Sequence, residues 1–311
     1  MDPVALFFLL GVIARLAKSD LRVPEAIYEG LTIFLLLAIG LKGGVELARQ
    51  PFFQLLPQVI GVLALGFALP LIAFPAARFF GRLSRVDAAS LAAHYGSVSM
   101  VTFAVALAYL VDRNIAHEEY MPLFVVLLEV PGIVVGILLA KFGAGVQWGV
   151  LAREVFLGRS VVLLAGGLLI GWISGPAALK PYTTLFFDLF KGVLALFMLE
   201  MGLVAAARLP DVYRKAAFVI GFGVGVPLVF SVIGALAGLA LGLSPGGSML
   251  LAILAASASY IAAPAAIRIA VPEANPSLSL AAALGVTFPF NVLLGVPLYL
   301  WLSEALHRMM G

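Results

Sequence analysis

The sequence predicts an all-α polytopic membrane protein of ten transmembrane helices, arranged as a 5+5 inverted-topology repeat with discontinuous fourth and ninth helices. Three observations carry this reading. The 311 residues are 63% hydrophobic and include only 19 Lys and Arg and 16 Asp and Glu, whereas a soluble domain carries about a quarter charged residues. Apolar runs of crossing length recur along the chain, and a bilayer core of about 30 Å takes about 20 helical residues per span. A short pattern also returns at a spacing of about 160 residues.

The runs, separated by charged or Pro/Gly-rich breaks, come in this order. Pro3–Ala17 ends at Lys18-Ser19-Asp20, and Ile27–Val45 starts after Pro24-Glu25. Leu55–Ala77 stops at Arg78, Ala88–Val111 lies between Asp87 and Asp112, and Tyr120–Phe142 follows Glu118-Glu119. After the loop 143–158 come Ser160–Ile173, Leu185–Ala207, Ala216–Leu241, Ser248–Ile269 and Leu278–Leu302. The first and sixth are short for a full span and hold matching places in the two halves. The predicted organisation is a first five-helix repeat over 1–142, a short cytoplasmic linker over 143–158 and an inverted second repeat over 159–311. The start, Met1-Asp2-Pro3, lacks the basic region of a signal peptide, so the first run reads as a retained helix.

Lys and Arg set the direction, because cytoplasmic loops retain positive charge. With the N-terminus outside, the inner face receives Arg15, Lys18, Arg22, Arg78, Arg82, Arg85, Lys141, Arg153, Arg159, Arg208, Arg214, Lys215 and Arg268, which is 13 of the 19. Both termini are therefore expected on the outer face of the membrane.

The repeat shows in two alignments. A shift of 162 lays Gly30 to Leu41 over Gly192 to Leu203, matching Gly30 with Gly192 and Gly40 with Gly202. A shift of 160 lays Ser97-Val98-Ser99 over Ser257-Ala258-Ser259, each in the fourth span of its half. Five spans per half is odd, so the copies run in opposite directions, as in secondary transporters whose substrate site lies at broken helices near the midplane. Gly96-Ser97-Val98-Ser99 with Thr102 marks one break. Ser257-Ala258-Ser259 followed by Pro264, which favours a kink, marks the other. Half-helix N-termini suit a small anion, while hydroxyls and freed carbonyls suit sodium. Any one of these serines alone reads better as helix packing; the four together in matching spans read as a site.

A carboxylate at membrane depth is a functional candidate. Glu129, just before Pro131, fits either a hydrogen-bonded carboxyl bracing a kink or a cation or proton group. Its repeat counterpart is Asn291, with Thr287 one turn before it, and these either add oxygens near the crossing or bond between helices. Glu200, opposite Ala38 in the repeat, reads as a pair across a helix or subunit contact. His94 reads as a lone hydrogen-bonded histidine or a proton group beside the break. The ladders Gly132-x-x-x-Gly136, Gly167-x-x-x-Gly171 and Gly234-x-x-x-Gly238-x-x-x-Gly242, and Gly221-Phe-Gly-Val-Gly225, read as packing seams.

Other chemistries fall away. The chain has no cysteine, so thiol catalysis, thiolate metal sites and disulfides are excluded. A net charge of +3 spread through loops does not suggest nucleic-acid binding. No zinc-protease or phosphate-loop motif is present, and the serines are duplicated without an obvious base, so an enzyme and a resident cofactor are not expected.

The residues resemble the sodium-dependent bicarbonate transporters of cyanobacteria. The likeness is carried by Val23-Pro24-Glu25-Ala26, Ile39 to Gly44, Gly96 to Thr102, Glu129-Val130-Pro131, the run Ala255 to Pro264, and above all Ala274-Asn275-Pro276-Ser277. It implies a fold of the bile-acid-symporter and sodium–proton-antiporter type. In that fold a core domain (helices 3–5 and 8–10) moves against a gate domain (helices 1–2 and 6–7), and the assembly is a homotrimer. It implies import of bicarbonate or a similar small monovalent anion with Na+ as coupling ion, by elevator-type alternating access. The implied substrate site is Gly96, Ser97, Ser99, Ser257, Ala258 and Ser259, and the implied cation-coupling set is Thr102, Glu129, Tyr260, Thr287 and Asn291. Two departures stand out. Tyr260 occupies the place of an acidic residue, which leaves the number or identity of coupling cations open. The loop 143–158 lacks a long hydrophilic insertion, which weakens the case for a PII-like cytoplasmic regulator. The alternative on this scaffold is a cation–proton antiporter using Glu129 and His94.

Overall fold

A computed structural model describes residues 3–50, 52–142, 148–213 and 216–310. Part of the predicted linker, 143–147, and the inner-face cations Arg214 and Lys215 lie outside the described residues. Among those described there is helix and no strand. Eight helical stretches are long and apolar enough to cross a membrane: Glu25–Leu47, Phe53–Gly81, Arg85–Asp112, Pro122–Ala140, Arg159–Tyr182, Phe190–Val212, Ala216–Ala240 and Pro276–Met310. Two shorter apolar helices, Pro3–Leu16 and Pro245–Ala256, accompany them.

In chain order the α-helices are α1 (Pro3–Leu16), α2 (Glu25–Leu47), α3 (Leu56–Gly81), α4 (Arg85–Gly96), α5 (Met100–Asp112), α6 (Pro122–Ala140), α7 (Trp148–Phe156) and α8 (Arg159–Leu179). Then follow α9 (Phe190–Ala207), α10 (Leu209–Tyr213), α11 (Ala216–Ala240), α12 (Pro245–Ala256), α13 (Ala262–Ala270), α14 (Pro276–Leu280), α15 (Phe288–Phe290) and α16 (Val296–Met310). The last three form one stretch through π-helical turns at Ala281–Thr287 and Asn291–Gly295.

Several expectations need correction. The sixth run is not short: helix continues to Leu179, but Gly175 at φ 66°, ψ 177° breaks its direction before Pro176. An L side chain rarely adopts that backbone, and glycine does so freely. The linker, expected to be a loop, carries the helix α7. Pro264 does not kink a helix; it sits in the first turn of α13, where its missing N–H costs nothing, and the interruption lies before it, at 257–261. Gly242 is no seam residue, because its φ of 74° makes the turn after α11 and nothing lies near it. Of Gly221, Gly223 and Gly225, only Gly223 packs closely, against Val286 and Ala282.

The remaining ladders are backbone seams. Gly11 of α1 meets Gly202 of α9, while Gly40 and Gly44 of α2 meet Gly167 and Gly171 of α8. A Cβ at any of these would meet carbonyl oxygens and amides of the facing helix. Without a hydrophobic force between helices in lipid, such close approach is how they associate. Farther in, the apolar stretch of Arg85–Asp112 is entirely buried, whereas that of Arg159–Tyr182 is mostly exposed. The interrupted fourth span is thus the centre of the molecule, and α8 is on its outside.

Candidate functional site

The two interruptions are built alike. Each is preceded by a twelve-residue helix, α4 and α12, whose ends lie 160 positions apart. Both begin at a serine N-cap: Ser84 Oγ accepts from Asp87 N at 3.0 Å, and Ser244 Oγ accepts from Gly247 N at 3.1 Å. Both end at a serine in extended geometry, Ser97 (φ −103°, ψ 169°) and Ser257 (φ −86°, ψ 170°). An N-cap hydroxyl satisfies an otherwise unpaired amide, and an extended residue ends a helix outright. The cap pair escaped the sequence reading, although Ser84-x-x-Asp87 carries a capping signature.

After each break a second serine caps the next half-helix. Ser99 Oγ accepts from Thr102 N at 3.2 Å at the head of α5, and Ser259 Oγ accepts from Ala263 N at 3.1 Å at the head of α13. The breaks also bond to each other. Ser99 N donates to Ser257 Oγ at 2.8 Å, and Ser259 N donates to the His94 carbonyl at 2.8 Å. Ser97, Ser99, Ser257 and Ser259 are all buried, as are Gly96, Ala258 and Thr102. The expected substrate-site residues therefore meet at one point. Two half-helix N-termini converge there, and their amides carry partial positive charge.

Neighbouring spans hold the breaks in place. Ser97 Oγ donates to the Glu129 carbonyl at 2.8 Å, and Gly132 lies so close to Gly96 and Ser97 that a Cβ would collide with their backbone. On the other side Asn291 Nδ2 donates to the Ala256 carbonyl at 2.9 Å, and Asn291 Oδ1 accepts from Tyr299 at 2.9 Å. Thr287 Oγ1 donates to the Gly223 carbonyl and pairs with Tyr95 Oη, each at 2.7 Å. Both residues thus bond between helices, the second of the two roles open to them. Thr102 Oγ1 donates to Ser99 Oγ at 2.8 Å.

Glu129 stays apart from this network. Its side chain is 1% exposed, Oε2 has no partner, and the carboxyl faces Ser160 at the start of α8. His94 is equally buried; Nδ1 donates to the Ser90 carbonyl at 2.7 Å, and Nε2 has no partner. Glu200 accepts from the Val23 backbone, just before α2, and its Oε2 is unpartnered. Tyr260 is buried, its ring edge-on to Phe288 at 5.5 Å and its hydroxyl unpartnered.

Two spaces open along the interrupted spans. One, of about 290 Å³, opens between α2, α8 and α13, with Tyr28, Thr32, Ser160 and Ile261 on its walls. The other, of about 370 Å³, lies between α2, α5 and the start of α9, with Lys42, Lys191, Val111 and Pro122 on its walls. Ion pairs cross beside the second: Lys42 to Glu119 at 3.3 Å, and Lys191 to Asp112. Beside the first, Arg159 pairs with Glu29 at 3.0 Å, joining α8 to α2.

Residues 3–304 match the family model of the Na+-dependent bicarbonate transporter superfamily, and the chain belongs to that superfamily. It is a multi-pass membrane protein of a transport family. No curated protein matches the chain.

Proposed function

We propose that the protein imports bicarbonate, or a similar small monovalent anion, together with sodium, at the point where the two interrupted helices meet. The observation that carries this reading is the reciprocal bonding of the breaks, Ser99 N to Ser257 Oγ and Ser259 N to the His94 carbonyl. Non-helical backbone at membrane depth persists where it is buried in protein or lines a cavity, and here it is both duplicated and buried. Gly96, Ser97, Ser99, Ser257, Ala258 and Ser259 form the anion site. Thr102 and Glu129 belong to the cation side, with Thr287 and Asn291 holding the surrounding spans.

The architecture of the proposal is a ten-span inverted repeat, with both termini outside and a homotrimeric assembly. It draws support from α4 and α12, which match at a shift of 160, and from the seams: Gly40 and Gly202, aligned at a shift of 162, each meet a glycine of the opposite half. Helices α1, α2, α8 and α9 form the gate, and the interrupted spans with their neighbours form the moving core. A ligand shifts the balance between two states only through different affinities for them. Sodium and anion binding are therefore coupled reciprocally, each tightening the other.

The test is sodium-driven uptake of labelled bicarbonate into proteoliposomes. Replacing Ser97 and Ser257 together by Leu abolishes uptake while leaving membrane insertion intact. Undiminished uptake by that variant removes the site assignment.

The unpartnered buried atoms of Glu129 and His94 favour a second reading, cation–proton exchange. A pH-sensitive dye inside the same vesicles separates the two, since sodium-driven alkalinisation without added anion belongs to exchange alone.

A further inference from the structure

The hydroxyl of Tyr260 has no part in the bonding that holds the crossing together. Tyr260 lies in the non-helical stretch between α12 and α13, and nine-tenths of it is buried. Its ring is wedged edge-on against Phe288, which is in turn edge-on to Phe8 at 5.6 Å. The ring contacts fix where the hydroxyl sits. That oxygen lies beside the Ser99 side chain, in weak contact with it, and in the field of Tyr28, and no partner satisfies it at full hydrogen-bond geometry. A buried polar atom without a partner loses its hydration for nothing in return, so a partner that arrives later is the economical explanation.

Ser99 shows which kind of partner fits. Its Oγ accepts from Thr102 N and from Thr102 Oγ1, so both lone pairs are used and only its proton is left to offer. The phenol of Tyr260 is likewise a proton donor. Two O–H groups therefore stand side by side at the N-terminus of α5, a helix of 13 residues. A hard cation needs several oxygen lone pairs; Ser99 has none to spare, and the single phenol oxygen of Tyr260 does not make a coordination shell alone. An anion needs donors and a positive helix end. A planar oxyanion presents two neighbouring oxygens and can take both protons at once, much as paired donors grip a carboxylate.

We infer that Tyr260 is an anion-positioning and specificity residue: its hydroxyl and that of Ser99 donate to two oxygens of a small planar oxyanion seated at the head of α5. This rests on the transport reading above and sharpens it, moving Tyr260 from the cation-coupling set to the anion site.

The experiment compares the wild-type chain with Tyr260→Phe in proteoliposomes. The change removes one oxygen and keeps the ring against Phe288. A donor lost to a charged group costs about tenfold or more in affinity. The KM for labelled bicarbonate at saturating sodium rises about tenfold or more, while the half-saturating sodium concentration at saturating bicarbonate and the maximal rate stay within about twofold. Gel filtration and thermal unfolding of detergent-purified Tyr260→Phe show an intact protein. An unchanged KM overturns the assignment, as does a shift confined to sodium, or a variant that no longer folds, each of which makes the hydroxyl structural or a cation ligand. Failure of the wild-type protein itself to take up bicarbonate with sodium overturns the transport reading, and this assignment with it.

Discussion

Glu129 and Asn291 hold corresponding places in the two halves, and their side chains are used in opposite ways. In the first half the break reaches out: Ser97 Oγ donates to the backbone carbonyl of Glu129, and the carboxyl is turned away toward Ser160. In the second half the neighbouring span reaches in: the amide of Asn291 donates to the last carbonyl of α12 and accepts from Tyr299. The same mechanical job, tying a broken helix to the next span, is done by the break's own serine on one side and by the partner's amide on the other. Where the serine does it, the ionisable group is turned to Ser160 instead of the break. Two breaks of like geometry are thus braced by different groups.

The largest expected effect tests how rigidly the first break is held. Gly132 touches the backbone of Gly96 and Ser97, so Gly132→Leu eliminates sodium-driven uptake and lowers the yield of monodisperse protein in gel filtration. Its counterpart at a shift of 162 is Leu294, which is 61% exposed; Leu294→Ala retains uptake within about twofold. Equal damage from both changes would erase the asymmetry.

Next come the two named residues. Asn291→Leu strands the Ala256 carbonyl and the Tyr299 hydroxyl, at about 1–3 kcal/mol for each buried group left unpaired, read as a large fall in unfolding temperature in detergent. Glu129→Gln keeps the shape and an acceptor oxygen for Ser160, so the same measurement moves little while uptake is impaired. A reversal of that order means the roles are exchanged. A smaller effect belongs to the caps: Ser259→Ala costs about 1 kcal/mol through the Ala263 amide, seen as a modest drop in the same melting curve. The smallest lies at the surface, where Lys42 and Glu119 are both well exposed. Lys42→Gln changes stability by no more than about 1 kcal/mol, since exposed ion pairs contribute little.

Much of this was legible before any coordinates. The apolar runs named the helices because a span needs length and little charge, and Ser97, Ser99, Ser257 and Ser259 marked both breaks because the pattern recurs. What periodicity could not show was which partner each polar group takes. Asn291 and Thr287 look like oxygen donors in sequence, and only the approach of Ala256, Tyr299, Tyr95 and Gly223 shows their atoms engaged. The stop inside α8 was also hidden, since a helical run on both sides of Gly175 reads as apolar regardless of direction. Pro264 misled for a related reason: proline is as much at home in the first turn of a helix as it is disruptive in its middle.

The glycine contacts between α1 and α9, and between α2 and α8, carry a mechanical consequence. Where side chains interlock, a helix can slip by one ridge and find a new set of grooves. Here main chain rests on main chain, and a slip of about one turn would bring Phe8 or Leu199, rather than hydrogen, into the gap left for Gly11 and Gly202. These pairs are welded rods, and any large displacement in the molecule has to be taken up along surfaces lined by side chains instead.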